Sequence, residues 1–460
     1  MVSTEGQPGG RSGAPRGGQP GALSGAPSGG QPEGPSAHRL TADAVARRLG
    51  VKVETVYAYV SRGLLTSVRA EDGRTSLFAP DEVDAVARRA GRGRGGSPAL
   101  EEVRTALTLI RDDDLFYRGA PVSRLVRTHG FESVAAWLWS EALDADEVFE
   151  ADPASLAVAR AAVGTLPAAA RTIDRMRVAV ASAAAVDPLR YATDADSVTA
   201  TAGSLLATMV EALPLVGTAP PAAEPPTSVP ATSVPATSDP PTSAPPTSLA
   251  ERLWPRLTVR PSSPATLAAL DAALVLTADH GLAASTTAAR IAASVRADPY
   301  SVVQAGLGAV DGPHHGLASA LAYRLLAEAH ASGDPAAVVS ERLRSRIPVP
   351  GFGQEVGVYR QGDVRARELL GFLREIPEAA AVVRTLDDLA EVMSRRPALR
   401  PNIDLALAAL ALACAMPADA GEGVFVVGRT AGWIAHALEE YQAKPHRFRP
   451  TGTYTGPRPE

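Results

Sequence analysis

The side chains best suited to chemistry fall between Thr277 and Arg365, in three polar clusters set in an Ala/Leu/Val background. The first is Ala278-Asp279-His280, followed by Ala284-Ser285-Thr286. The second is Gly312-Pro313-His314-His315-Gly316-Leu317-Ala318. The third is Pro350-Gly351-Phe352-Gly353-Gln354, followed by Gly362-Asp363-Val364-Arg365. Three of the eight histidines sit here. Histidine exchanges protons near neutral pH, and glycine lets backbone approach a ligand closely. The set therefore suggests a site for proton transfer or hydrogen-bond donation. A metal is not expected: His314-His315 and Asp279-His280 are adjacent pairs, which rarely share one ion, and no thiolates or i,i+4 histidines accompany them.

Apolar segments of helical period separate the clusters, so only tertiary folding can bring them together. Helices are expected at 267–276, 286–295, 301–309, 318–331, 335–346, 365–373, 377–394 and 405–415. A last helix carries Thr430-Ala431-Gly432-Trp433-Ile434-Ala435-His436 and runs to about Tyr441. From 98 to about 216 the pattern is also read as mostly helical, with Asp152 capping a helix that Pro153 begins and periodicity continuing over 171–185. Residues 218–248, a degenerate Pro-Ala/Pro-Thr-Ser repeat, form an extended linker with nothing to build a core.

The N-terminal part is different. Residues 1–37 are Gly/Pro/Ser/Gln-rich and read as disordered. A helix at 42–49 capped by Thr41, a second at about 53–62 ended by Gly63, a hairpin formed by 65–69 and 76–78 around Asp72-Gly73, and a third helix from Pro80 to about Arg89 follow. This order looks like a winged helix-turn-helix of the MerR/excisionase type. Residues 38–97 carry eleven Lys/Arg and seven Asp/Glu, a local excess of +4 against −9 elsewhere, as DNA contact requires. Candidate DNA contacts are Lys52, Thr55, Tyr57 and Tyr59 on or beside the second helix, Arg62 at its end and Arg74 on the wing. Against this stand Glu54, which repels phosphate, and the use of such modules as plain interaction pieces. Arg92-Gly93-Arg94-Gly95-Gly96 reads as a tether.

The 460 residues allow two or three domains. Apolar residues make up 45% and aromatics 5%, which favours helix over strand. A net charge of −5 argues against a general polyanion binder. With Cys414 alone there is no intrachain disulfide, and a reducing cytoplasm is the natural setting. The longest apolar run, 405–416, is too short to span a bilayer, and no leader pattern opens the chain, so a soluble protein is expected.

At the polar clusters the chain resembles the citrate synthase family. Elements similar to the family's signatures follow in order: Tyr117-Arg118-Gly119, Phe131-Glu132-Ser133-Val134, Ala278-Asp279-His280, Gly312-Pro313-X-His315-Gly316, Pro350-Gly351-Phe352-Gly353, Asp363-X-Arg365, Pro401-Asn402-Ile403-Asp404, Arg429-Thr430-Ala431-Gly432-Trp433-Ile434-Ala435-His436, and Arg449-Pro450 with Tyr454. The resemblance implies a mostly α, two-domain fold. The large domain would comprise 98–217, 249–319 and 426–460, the small domain 320–425, with 38–92 as the preceding module. It also implies a homodimer, acetyl-CoA and oxaloacetate (or a close acyl-CoA variant) as substrates, and no further cofactor.

By that resemblance Asp404 is the base that enolises the thioester and His315 donates a hydrogen bond to the enolate oxygen. Arg365, Arg429 and Arg449 grip carboxylates, Arg449 reaching the neighbouring subunit, and His280 contacts oxaloacetate. Gln354 departs from the pattern. It stands where the family has a histidine on the attacked carbonyl, and its amide can donate a neutral hydrogen bond but no charge or proton. The loop before Tyr359 is about two residues longer than the family pattern, and the usual Asp-Pro-Arg reads Asp363-Val364-Arg365. His436 reads as a hydrogen-bonded packing residue and Trp433 as core. Two functions follow. One is an enzyme condensing acetyl-CoA, or propionyl-CoA, with oxaloacetate. The other is a weakened relative that senses ligand and regulates DNA binding by the N-terminal module.

Overall fold

The computed structural model describes residues 40–49, 51–61, 64–70, 75–80, 82–83, 86, 103–143, 147–217, 247–312, 315–353, 359, 361–395, 399–446, 448 and 456. The expected disordered start, the tether at 92–96, most of the 218–248 linker, Arg62, Arg74, His314, Gln354, Arg449 and Tyr454 lie outside the described residues.

The chain divides into two compact units, Met1–Ala99 and Leu100–Glu460. In the first, β1 (Leu40–Thr41) leads into α1 (Ala42–Leu49) and α2 (Val53–Ser61), then β2 (Ser67–Arg69) and β3 (Ser76–Phe78). The expected hairpin pairs Ser67 with Phe78 and Arg69 with Ser76. A strand missing from the sequence reading, β1, adds to its other side, pairing Leu40 with Phe78. The Thr41 hydroxyl accepts from Ala44 N at 3.4 Å, as a cap would. Val45, Val56, Phe78 and Val83 form this unit's small core.

The second unit is mostly helical: α3 (Val122–Thr128), α4 (Phe131–Ser140), α5 (Pro153–Gly164), α6 (Thr172–Val186), α7 (Ala195–Glu211), α8 (Leu249–Leu257), α9 (Pro264–Thr277), α10 (Ala284–Ser294), α11 (Pro299–Val310), α12 (Ala318–Ser332), α13 (Pro335–Arg344), α14 (Val364–Arg374), a 3₁₀ turn (Pro377–Ala379), α15 (Ala380–Ser394), α16 (Ile403–Ala413) and α17 (Ala420–Gln442). Asp152 caps α5 through Ser155 N, with Pro153 at the first turn, as its sequence predicts. Asp298-Pro299 does the same for α11.

One expectation fails. The start of this unit is a three-stranded antiparallel sheet rather than helix: β4 (Thr108–Arg111), β5 (Asp114–Tyr117) and β6 (Ala120–Pro121). Each connection has two residues, Asp112-Asp113 with φ of 55° and 63°, and Arg118-Gly119 with φ of 43° and 84°. Positive φ at both central positions matches the right-handed twist of the flanking strands.

The centre is α17. Twenty of its 23 residues are buried, and α4, α7, α9, α10 and α11 pack around it. Such closeness needs glycine where the helix crosses α9: a side chain at Gly432 would drive into Ala278 O and Asp279 Oδ1. Among the described residues no helix is long and apolar enough to cross a membrane.

Candidate functional site

The site is built on α17 and on three loop-to-helix junctions. The first follows α9. Asp279 is fully buried there, and its Oδ2 accepts from the Thr108 hydroxyl of β4, from Gly281 N at 3.0 Å and from His436 Nε2 at 3.3 Å. Burial alone would raise this carboxyl. The neighbouring His436, with Arg429 and the Thr108 hydroxyl, holds it well below the usual carboxylate range. The other face of His436 meets Arg290, which also pairs with Glu439 and Glu440. His436 is thus the packing residue its sequence suggests. Asp279 was picked out only as part of a cluster, and the structure makes it the hub that fixes the neighbouring turn.

That turn presents His280. Its Nε2 lies 2.9 Å from the Tyr359 hydroxyl, and the two rings are 5.7 Å apart. Burial, then Arg365 and Arg429, push His280 well below the ordinary histidine range, so it is neutral at pH 7. Tyr359 also lies under the Arg365 guanidinium, 6.0 Å from ring centre to carbon. Sequence reasoning used Tyr359 only to mark a loop end.

The second junction joins α11 to α12 and carries His315. Its Nε2 sits 2.8 Å from Ser285 Oγ at the start of α10, and Phe425 of α17 packs edge-on against the ring at 5.6 Å. Burial, then Arg429, lower His315 to about 4. The neutral ring has one donor nitrogen. If the Ser285 hydroxyl donates to Nε2, the proton stays on Nδ1, free to serve a ligand. Gly316 N donates to Val310 O at 2.8 Å, closing the loop. A Cβ at Gly316 would stand 2.7 Å from that same oxygen.

The third junction ties the Pro350–Gly353 loop to the start of α16. Gly353 N donates to Arg400 O at 3.1 Å, Asn402 N donates to Gly351 O at 3.0 Å, and Phe352 bridges Pro401. Asn402 then caps α16 through Leu405 N, which leaves half-buried Asp404 in the first turn. Asp363 ends the same construction. Its Oδ2 accepts from Ile403 N at 2.9 Å, and its two oxygens each take a bond from the Arg365 fork at 2.9 Å.

Arg429 is 1% exposed. Its Nε donates to Thr277 O at 2.8 Å, and its guanidinium lies 4.7 Å over the Phe425 ring. Glu422, Phe425 and Arg429 recur at three and four residues, so they line one face of α17. His280, Tyr359, Arg365 and Arg429 form one electropositive neighbourhood, with His315 and Ser285 on the Phe425 side of Arg429. Among the DNA-contact candidates, Lys52 and Tyr57 are exposed, and Tyr59 is half-buried against its unit's core. Thr55 N is taken by Lys52 O at 2.9 Å.

The family model for the citrate synthase C-terminal domain matches residues 99–451. The chain belongs to the citrate synthase family. It is 28% identical over 359 residues to 2-methylcitrate synthase 2 of Corynebacterium glutamicum, covering 75% of this chain and 89% of that one. It is 30% identical over 212 residues to citrate synthase 2 of Bacillus subtilis, a match covering 45% of this chain and 56% of the relative. With the citrate synthase of Haloferax volcanii identity is 36% over 190 residues, 40% of this chain and 49% of the relative. The citrate synthase of Thermoplasma acidophilum, solved as a ternary complex with carboxymethyl coenzyme A and oxaloacetate, shares the fold: TM-score 0.61 at 23% identity, covering 79% of this chain and 96% of that one.

Proposed function

We propose that the protein catalyses a citrate synthase-type Claisen condensation: acetyl-CoA, oxaloacetate and water give citrate and CoA, with propionyl-CoA giving 2-methylcitrate as the variant. The observation that carries this reading is His315, a neutral imidazole braced by Ser285 and Phe425 beside Arg429. Asp404 takes a proton from the carbon next to the thioester. The enolate oxygen accepts a hydrogen bond from His315, which needs no charge to stabilise it. The enolate carbon attacks the ketone carbon of oxaloacetate, and Gln354 donates a hydrogen bond to the ketone oxygen. The alkoxide formed there takes a proton from water, and water then cleaves the thioester, releasing the CoA thiol. Arg365, Arg429 and, from a second subunit of a homodimer, Arg449 hold the dicarboxylate, with His280 beside it. Closure of residues 320–425 over the rest excludes water that would quench the enolate.

The test is free-thiol release from acetyl- and propionyl-CoA with and without oxaloacetate. Wild type is expected to turn over, Asp404→Ala to abolish turnover and Gln354→His to raise it. A wild type silent with both thioesters ends the catalytic reading.

A second reading treats the chain as a ligand-responsive DNA-binding regulator. It is supported by the helix pair and hairpin of the first unit, with Lys52 and Tyr57 exposed on and beside α2. Ligand-dependent DNA retention by the full chain tests it.

A further inference from the structure

Glu422 lies one turn before Phe425 on the site-facing side of α17. It is fully buried, and among the described residues neither carboxyl oxygen has a hydrogen-bond partner. It packs under the His315 loop: a Cβ built on Gly316 would stand 3.4 Å from Glu422 Oε1. Its nearest cation among the described residues, Arg171 at the start of α6, is 3.9 Å away and committed elsewhere. Arg171 forks onto Asp174 at 2.9 and 3.0 Å, and its Nη1 meets Asp311 at 2.9 Å. Asp311 is the first residue of the His315 loop, held also by Arg177 at 2.9 Å. The other charged groups facing Glu422 among the described residues are Asp174 from α6, Asp311 from the end of α11 and Asp419 at the start of its own helix, all acidic. From α12, Ser319 Oγ donates to Gly316 O at 3.4 Å.

We propose that Glu422 is a positioning residue for the His315 loop, holding it as a neutral acid, and that ionising it draws Arg171 off Asp311 and resets the loop. A neutral carboxyl packs there without competing for Arg171. An ionised one is a buried, unpaired charge, and such charges find a partner or force movement. Among the described residues the cation within reach is Arg171, the one that ties down the loop. Burial raises Glu422 to about 7, against the pull of Arg171, which puts the change in the physiological range. The functional consequence rests on the reading of His315 given above.

The test follows the ring signals of His315 against pH in protein carrying ¹⁵N-histidine, assigned by their loss in His315→Asn. His315 itself titrates near 4, so an inflection near 7 reports a neighbour. Wild type is expected to show that inflection and Glu422→Gln, isosteric with the neutral acid, to lack it. Arg171→Gln leaves no cation to draw off Asp311 and should flatten the inflection, which covers the case of a Glu422 variant that does not fold. In parallel, kcat for thiol release should fall several-fold through the same pH range in wild type and stay level in Glu422→Gln. Superimposable His315 curves for wild type and Glu422→Gln, or an inflection of wild-type size in Arg171→Gln, overturn the proposal. If the curves differ as expected but neither protein releases thiol, the condensation reading fails and the coupling of Glu422 to the loop stands.

Discussion

Asp363 grips Arg365 with both carboxylate oxygens, at 2.9 Å each, and both side chains are almost wholly buried. The same carboxylate holds Ile403 N, so the Arg365 guanidinium and the helix turn that bears Asp404 share one anchor. Removing that anchor should disturb two roles at once. Asp363→Ala takes the gripping carboxylate away from a buried guanidinium, and about 3–5 kcal/mol of stability should go with it. Urea unfolding of the variant reads this directly. A loss under about 1 kcal/mol would mean that Arg365 finds another carboxylate.

His315 should show an acid-side stability change of definite sign. Its folded value, about 4, lies below the ordinary 6.5. Between these pH values the unfolded chain binds a proton that the folded chain does not, so stability rises with pH there. The contribution is fully present above about 6.5 and is lost as pH falls to about 4, at most about 3 kcal/mol. The difference in melting temperature between wild type and His315→Asn, followed from pH 7 to 4, should shift in that direction. A pH-independent difference would argue that His315 is solvated.

Ser285 braces His315 through Nε2. Ser285→Ala should lower kcat about tenfold, the equivalent of one hydrogen bond of about 1.4 kcal/mol, with KM for oxaloacetate little changed. Ser285→Thr, which keeps the hydroxyl, should recover most of the rate. Equal losses in both variants would point to crowding at the start of α10.

Gly316→Ala places a methyl group against Val310 O and Val310 Cγ1. Overpacking of this kind costs about 1–3 kcal/mol, and here the strain falls on the loop bearing His315. Thermal melting and kcat should both drop, kcat by more than the melting point alone accounts for. An unaltered kcat would separate that loop from the chemistry.

On the second reading, Lys52→Ala should weaken DNA binding evenly across sequences and reduce the salt slope by about one unit. Tyr57→Ala should weaken it too. Binding isotherms at several salt concentrations decide this, and slopes that match wild type would exclude Lys52 from phosphate contact.

Most helices were legible in the sequence because their starts carry their own chemistry. Asp152-Pro153 is a cap followed by a preset φ, and Asn402 caps α16 ahead of an apolar run. The sheet at 108–121 was not. Its runs are short, and its turns use Asp112-Asp113 and Arg118-Gly119 in place of the Asn-Gly or Asp-Gly that mark such turns most clearly. In the candidate site, His280, His315, Asp404, Arg365 and Arg429 stand out by type and order. Their supports do not. Tyr359 meets His280 across 79 residues, and Thr108 meets Asp279 across 171. Only helical spacing hinted at Phe425 and Glu422, since both fall on the Arg429 face of α17. Glu422 is what a sequence reader would set on a solvated surface, and it is fully buried.

The burial of α17 also orders events in time. Arg429, Phe425 and His436 all come from this one helix, 20 of whose 23 residues are covered by elements made earlier in the chain. Until residue 442 has left the ribosome, α4, α7, α9, α10 and α11 have an unfilled apolar trough at their centre. Contacts this distant in sequence form slowly, and the waiting intermediate is sticky. Truncation before Ala420 should therefore yield a chain that associates with chaperones or precipitates, not a smaller folded protein lacking a site.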